Sequence, residues 1–474
     1  MKRRNFLQKG STAVTALAGF TIAPSTILGK SHGYVAPSDK VDLACCGIGH
    51  RGGSIIKSLH ETGLANVVAL CDVDMGAEHT TEVINMFPKA TKYQDFRVLF
   101  DKMGGSFDAI TAGVPDFSHF PITMLAMSQG KGIYVEKPMA RTFNEVELMM
   151  KGAEKYKVPT QMGNQGHSGE NYFQFKAWTE AGIIKDVTKI SAHMNSRRRW
   201  HGWDANMKNF PNGEPIPDTM DWDTWLMTSH QHEFNDNAYH HGQWRCWYDF
   251  GMGALGDWGA HILDTAHQFL DLGLPSEVDP VMLEGHNTFF FPFSSTLEFK
   301  FPARGEKPPV TITWYDGVEN IPPLPDGFGV AEENPNIPPP SDSNGRRRTN
   351  RLRPGKIIYS KDLIFKGGSH ERPLTIIPEE KAKEMASSLP EVPESPSNHF
   401  ANFLKACKGE EKCRSSFDIA GPLSQVFTLG VMAQRLNSKL VFDREKKQIT
   451  NNALANALLY GEAPRRGWEE YYKM

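Results

Sequence analysis

The stretch VDLACCGIGHRGG, residues 41–53, places Gly47, Gly49 and Gly52 between an apolar run and a helical one. A second apolar run, ANVVALCDVD, follows, and between the two SIIKSLHETG has helical spacing and a glycine stop at Gly63. The order is strand, glycine turn, helix, strand. In a G-x-G-x-x-G turn, the first glycine allows the tight bend. The second lets backbone approach a pyrophosphate, and the third lets helix and strand pack closely. The free N–H groups of the helix N-terminus then face the phosphates. Asp72 ends the second run, twenty residues after Gly52. A carboxylate there accepts from both ribose hydroxyls and repels a 2′-phosphate, which favours NAD and leaves NADP as the alternative.

The alternation continues. FDAITAGVPDFSH and KGIYVEKP read as strands, with helical HFPITMLAMSQG between them. This predicts an α/β fold with a parallel, doubly wound dinucleotide-binding domain over residues 40–160. Beyond it the pattern changes. VTKISAHMN, STLEFKF and VTITWYDG are strand-like runs without helices between the last two. Residues 161–474 therefore form a second domain of α+β type around a large, mostly antiparallel open sheet. Residues 317–396 are rich in proline and polar residues and are expected as a loop-rich insertion. Its basic run, GRRRTNRLRPGK, reads as a solvated loop.

Residues 1–36 stand apart. MKRRNFLQKG carries paired arginines before Phe6 and Leu7, and a mildly apolar stretch follows. This is an n-region and an h-region, too short for an ordinary spanning helix. It resembles a twin-arginine export signal, which implies the twin-arginine export machinery as partner, a periplasmic or otherwise exported location, and no stable membrane insertion once the signal is removed. Lys and Arg number 52 against 55 Asp and Glu, so no global field argues for nucleic acid. Of six cysteines, Cys45, Cys46 and Cys71 fall in strand-like apolar runs, and Cys407 and Cys413 are near enough in sequence to bridge.

Two further features carry chemistry. YVEKP ends a strand at the edge where open α/β sheets bind ligands, which aims Lys137 over the cleft. GALGDWGAHILD puts Asp257, His261 and Asp264 on one helical face, with Gly253, Gly256 and Gly259 thinning the helix for close approach of a ligand or backbone. Between residues 200 and 258 lie Trp200, Trp203, Trp222, Trp225, Trp244, Trp247 and Trp258, seven of the ten tryptophans. Interleaved with arginine and histidine, such faces suit a sugar ring, although several must be core. His230, His232, His240 and His241 lack a ligand spacing and an accompanying carboxylate set, so no metal is expected.

The motifs GIGHRG, Asp72, GVPDFSH, EKP, GNQGH and GDWGAHILD occur in the order and spacing of the Gfo/Idh/MocA oxidoreductases, which this chain resembles over about residues 40–310. The resemblance implies cofactor contacts from Gly47, Ile48, Gly49, Arg51, Gly52, Asp72, Pro115, Asp116, His119, Glu136, Lys137 and Gln165. It makes His261 the base that takes a substrate hydroxyl proton. Asp257 then orients the sugar hydroxyl or the imidazole, and Lys137 stabilises the developing alkoxide. Substrate-side candidates are His167, Arg199, Trp200, Arg245, Trp258 and Asp264. The implied activity is hydride transfer between a sugar or glycoside carbinol and tightly bound NAD, in a homo-oligomer. The alternatives are a redox-neutral NAD-dependent glycosidase resembling glycoside hydrolase family 109, which does not keep the EKP lysine, and a silent sugar-binding protein.

Overall fold

A computed structural model describes residues 39–195, 204–240, 242–329 and 352–473. The twin-arginine-like segment lies outside them, as do Arg199, Trp200, Trp203 and His241.

Six strands form the first sheet: β1 (Val41–Cys46), β2 (Ala65–Cys71), β3 (Thr91–Tyr93), β4 (Ala109–Ala112), β5 (Gly132–Val135) and β6 (Thr160–Met162). All its pairs are parallel, in the order β3-β2-β1-β4-β5-β6. That is the dinucleotide-binding order, with the chain reversing direction between β1 and β4. The strands are short and apolar because helices cover both faces: every residue of β4 and β5 is buried. The helix Phe143–Tyr156 starts with a reciprocal capping box between Thr142 and Glu145.

The second sheet has nine strands: β7 (Lys189–Met194), β8 (Glu277–Glu284), β9 (Ser294–Phe301), β10 (Val310–Asp316), β11 (Gly355–Tyr359), β12 (Ile364–Gly368), β13 (Thr375–Ile377), β14 (Leu440–Asp443) and β15 (Gln448–Ile449). Their order is β13-β12-β11-β7-β10-β9-β8-β14-β15, antiparallel except where β10 meets β7. The expected loop-rich insertion is thus only partly loop. Within it, β11 to β13 extend the sheet by pairing β11 against β7. Strands of three to five residues between glycines and prolines have the composition of loops; only the partner strand across the sheet marks them as strands.

The helix Phe417–Leu436 packs against Phe143–Tyr156 of the first layer and against Gly253–Ile262 of the second. A side-chain carbon on Gly421 would lie 2.3 Å from Met150, and one on Gly259 would lie 2.7 Å from Phe427. The glycines of GALGDWGAHILD therefore admit protein side chains rather than a ligand: Gly253 faces Phe291, and Gly256 faces Met252 and Pro138. Cys407 and Cys413 are free thiols, and Cys45, Cys46 and Cys71 are buried. Among the described residues no helix is long and apolar enough to cross a membrane.

Several histidines are buried uncharged. Desolvation lowers His119, His193 and His267 to about 4 and His399 to about 3. Above the ordinary histidine value near 6.5 they are neutral in both folded and unfolded chains. As pH falls below it, the unfolded chain takes up protons that the folded chain refuses, and stability is lost at about 1.4 kcal/mol per pH unit per group. Asp316 opposes this, because burial raises its carboxyl to about 6. Burial also raises Asp72 and lowers His261 and His370, so six histidines against two carboxyls set the sign. The denaturant midpoint should fall steadily between pH 6.5 and 4; a flat or rising midpoint would contradict this burial.

Candidate active site

β1 delivers the chain into Gly47, whose φ of +73° is in the left-handed region. Gly52 sits in the first turn of the helix His50–Glu61, where a side-chain carbon would lie 1.9 Å from the Gly47 carbonyl oxygen. Only glycine lets this turn rest on the loop. The Ile48 N–H donates to Asp72 Oδ2 at 2.9 Å, and the Asp74 N–H donates to Oδ1 at 3.1 Å. The carboxylate thus ties the glycine loop to the end of β2. Burial pushes the Asp72 pKa up, against these two bonds. The helix carries no acidic residue in its first turn, so nothing there repels a phosphate. Around this cradle, His50 and His79 stack with centroids 4.8 Å apart, and His240 meets His79 edge-on. A dinucleotide fits this donor set: helix N-terminal N–H groups, a loop with glycines at its points of close approach, and a carboxylate at the second strand's end.

A second cleft opens beside the cradle. Both are lined by His50, Arg51, Gly113, Val114, Gly242 and Arg245, so they form one continuous site. Lys137, just past β5, donates from Nζ to Asp257 Oδ1 and to the Asp257 carbonyl oxygen, each at 2.7 Å. Their side chains are only 10% and 6% exposed. Arg245 Nε lies 3.8 Å from the same carboxylate oxygen, and its guanidinium stands 4.1 Å over the Trp244 ring. Asp257 is therefore held by two cations rather than by the imidazole, as the sequence had allowed.

His261, one turn later, is buried, and its Nδ1 has no protein partner. Desolvation, then Lys137 and His370, hold its pKa well below 6.5, with Asp257 pulling the other way. The imidazole is thus neutral and able to accept a proton. Its ring stacks on His370, with centroids 4.0 Å apart and planes 14° from parallel.

Most of the expected residues line this site. Gly47, Gly49, Arg51, Asp72 and Pro115 lie on the cradle side. Asp116, Glu136, Lys137, Gln165, Arg245, Asp257, Trp258 and His261 lie on the cleft side. Arg51 pairs with Glu136 at 3.3 Å, and Gln165 donates to Glu136 at 3.2 Å. Ile48 and Gly52 act by shaping the cradle. Three residues do not reach the cleft. His119 is buried between the carbonyls of Pro138 and Val114, at 2.8 and 3.0 Å, so it braces the turn after β5 and touches no ligand space. His167 and Asp264 form a buried pair at 3.2 Å behind the cleft. Asp264 begins a separate helix, Asp264–Phe269, after a break at Leu263, so the polar stripe is not one straight face.

The tryptophans are mostly core. Trp222 and Trp225 stack 4.4 Å apart, and Trp247 is fully buried. Trp225 and Trp244 touch the cradle side, and Trp258 alone of the five described there lines the cleft. His230 pairs with Glu462 and His232 with Asp249. His370 escaped the sequence reading, because it lies more than a hundred residues downstream in a stretch read as loop. The only available signal was a histidine after two glycines, GGSH, at the end of a strand-like run.

Two family models match the chain. One, described as an oxidoreductase family with an NAD-binding Rossmann fold, covers residues 41–164, and its companion C-terminal alpha/beta domain covers residues 174–285. A glycosyl hydrolase family 109 protein of Shewanella baltica is 24% identical over 42% of this chain and 47% of its own length. An alpha-N-acetylgalactosaminidase of Shewanella oneidensis is 25% identical over 44% of this chain and 48% of its own. The match thus spans about half the length of these curated relatives. Among solved structures, the WlbA dehydrogenase of Bordetella pertussis, in complex with NADH and UDP-GlcNAcA, superposes with a TM-score of 0.54 at 12% identity. That likeness covers 85% of this chain and 99% of the other. An aldose-aldose oxidoreductase of Caulobacter crescentus superposes at 0.52 and 14% identity, over 85% of this chain and 100% of the other. At such identities these structures speak for the fold alone.

The buried Lys137–Asp257 pair makes a stability test. Lys137→Met leaves a buried carboxylate without its bonded cation, and removing one partner of a buried pair costs about 3–5 kcal/mol. The double variant Lys137→Met with Asp257→Leu should recover most of that loss, because no unpaired charge remains. Equal stability of the single variant and the unaltered protein by chemical denaturation would contradict the pairing.

Proposed function

We propose that this chain, which belongs to the Gfo/Idh/MocA oxidoreductase family, transfers hydride between a carbinol carbon of a sugar or glycoside and nicotinamide. One observation carries the reading. An ammonium (Lys137), a carboxylate (Asp257) and a neutral imidazole (His261) converge in a cleft continuous with the glycine cradle. Bound NAD supplies the hydride acceptor. The residues supply the rest. Oxidising a carbinol requires loss of the hydroxyl proton with the hydride, and neutral His261 takes it. An ammonium has three N–H donors. Two of Lys137's are committed to Asp257, which leaves one for the substrate oxygen as charge develops there. Asp257 fixes that ammonium in place, and Arg245 steadies Asp257.

Asp72 favours NAD over NADP, since a 2′-phosphate beside a buried carboxylate is repelled. The paired arginines at residues 3 and 4 support export by the twin-arginine route. Outside the cell free nucleotide is scarce, so the cofactor is held tightly and carried out with the folded chain. The extended second sheet is the surface on which copies would pair.

The names of the relatives favour a second reading, a redox-neutral glycosidase on the same fold. There, transient oxidation of one sugar carbon acidifies the neighbouring C–H, and the glycosidic bond leaves by elimination. Lys137 weighs toward net oxidation, because the family 109 pattern does not keep that lysine.

The test is single-turnover absorbance of the nucleotide carried by the purified protein. The substrates are a panel of aldoses and alditols, with p-nitrophenyl N-acetyl-α-galactosaminide as the glycoside. Net reduction with a free sugar supports hydride transfer. Release of p-nitrophenol without net reduction moves the assignment to the glycosidase, and a folded protein that binds no nucleotide overturns both. His261→Asn should slow the step on the order of a hundredfold. Since His261 acts as base only when neutral, rate rises with pH through its pKa. Burial and Lys137 lower that pKa, so the limb should lie to the acid side of the ordinary histidine value. A limb near 6.5 or above, or a full rate in the variant, would contradict its role.

A further inference from the structure

His370 stands in the turn between β12 and β13, with φ at +60°. Neighbouring residues are shaped to hold it there. A side-chain carbon on Gly166 would lie 2.6 Å from the His370 carbonyl oxygen, and one on Gly169 would lie 2.6 Å from Glu371. The two glycines thin the wall after β6 so that this turn can lie against it. The His370 N–H donates to the His261 carbonyl at 2.9 Å. Its ring then lies flat on the His261 ring, while Trp258 stands edge-on to it at 5.4 Å. His370 also lines the cleft, on the same side as Lys137 and Asp257.

We propose that His370 is a positioning residue: its backbone N–H ties down the His261 main chain while its ring covers one face of the His261 ring against water, so the base is a stacked histidine pair. The proposal rests on the reading of His261 as base. The groups facing the pair are Lys137 and Arg51 on the positive side and Asp257 and Asp264 on the negative. Two imidazolium rings at 4.0 Å repel each other, so the stack does not hold two protons at once. The cover over His261 excludes water, and with Lys137 it keeps the ring neutral. The left-handed backbone at His370 is one a non-glycine residue adopts only where its surroundings over-determine it, a feature that gathers at functional sites.

The test is histidine side-chain NMR of the full-length protein, carbon-13 labelled at histidine, with the His261 signal assigned from His261→Asn. His370→Gly removes the ring and suits the φ of +60°, so the fold is not threatened. It opens His261 to water and removes a like charge, and the His261 titration midpoint should rise by about one pH unit or more. His370→Phe restores the flat cover without a second charge and should keep the midpoint low. An unchanged midpoint in His370→Gly overturns the proposal, as does a midpoint in His370→Phe that rises as far as in the glycine variant. The readout needs no substrate. If no sugar reduces bound nucleotide, the hydride reading fails while the titration still decides the histidine pair.

Discussion

The ion pair between Lys137 and Asp257 joins the carboxyl edge of the first sheet to the helix that backs the second. Two buried charges lose most of their hydration, and their attraction offsets that loss only when the geometry is good and the remaining valences are satisfied. Here the ammonium has two acceptors from one residue, and Arg245 stands beside the carboxylate. The helix Gly253–Ile262 can lie this close because Gly256 leaves room for Pro138, directly after the lysine. The same pair sets the electrostatics of His261. Burial, with the Lys137 ammonium held on Asp257 one turn away, leaves the imidazole uncharged and able to act as base where it lines the cleft.

Local features were legible in the sequence and non-local ones were not. The cradle could be read because its requirements are short-range: Gly47 needs a left-handed φ, Gly52 needs no side chain, and Asp72 must end the next strand. Lys137 could be read because a lysine after an apolar strand in this alternation has one place to go. The stripe Asp257–His261 was legible as a spacing, but its chemistry was not. Periodicity says that two side chains share a face; it does not say that the face is buried or that the carboxylate will turn to Lys137 instead of the histidine.

The misreadings share a cause. His119, His167 and Asp264 are polar residues within motifs, and polarity alone did not tell ligand contact from buried bracing. Their partners, the Pro138 and Val114 carbonyls for His119 and each other for the pair, come from elsewhere in the fold. The tryptophans were a composition signal, and most of them went to the core, as large apolar rings do when a partner face is near. His370 was hidden for the opposite reason. Its strands, β12 and β13, join the sheet through β11, which pairs with β7 more than 150 positions earlier in the chain, and no window of sequence contains both.

The central claim is that the glycine cradle and the Lys137–Asp257–His261 group serve one ligand in one continuous site. The most direct measurement is a crystal structure of the protein with NADH. The account predicts the pyrophosphate at the N-terminus of the helix His50–Glu61, a ribose hydroxyl on Asp72, and the nicotinamide ring in the cleft against Lys137 and His261. A nucleotide bound with its nicotinamide outside that cleft, or a cleft closed to it while the cradle is filled, would contradict the claim.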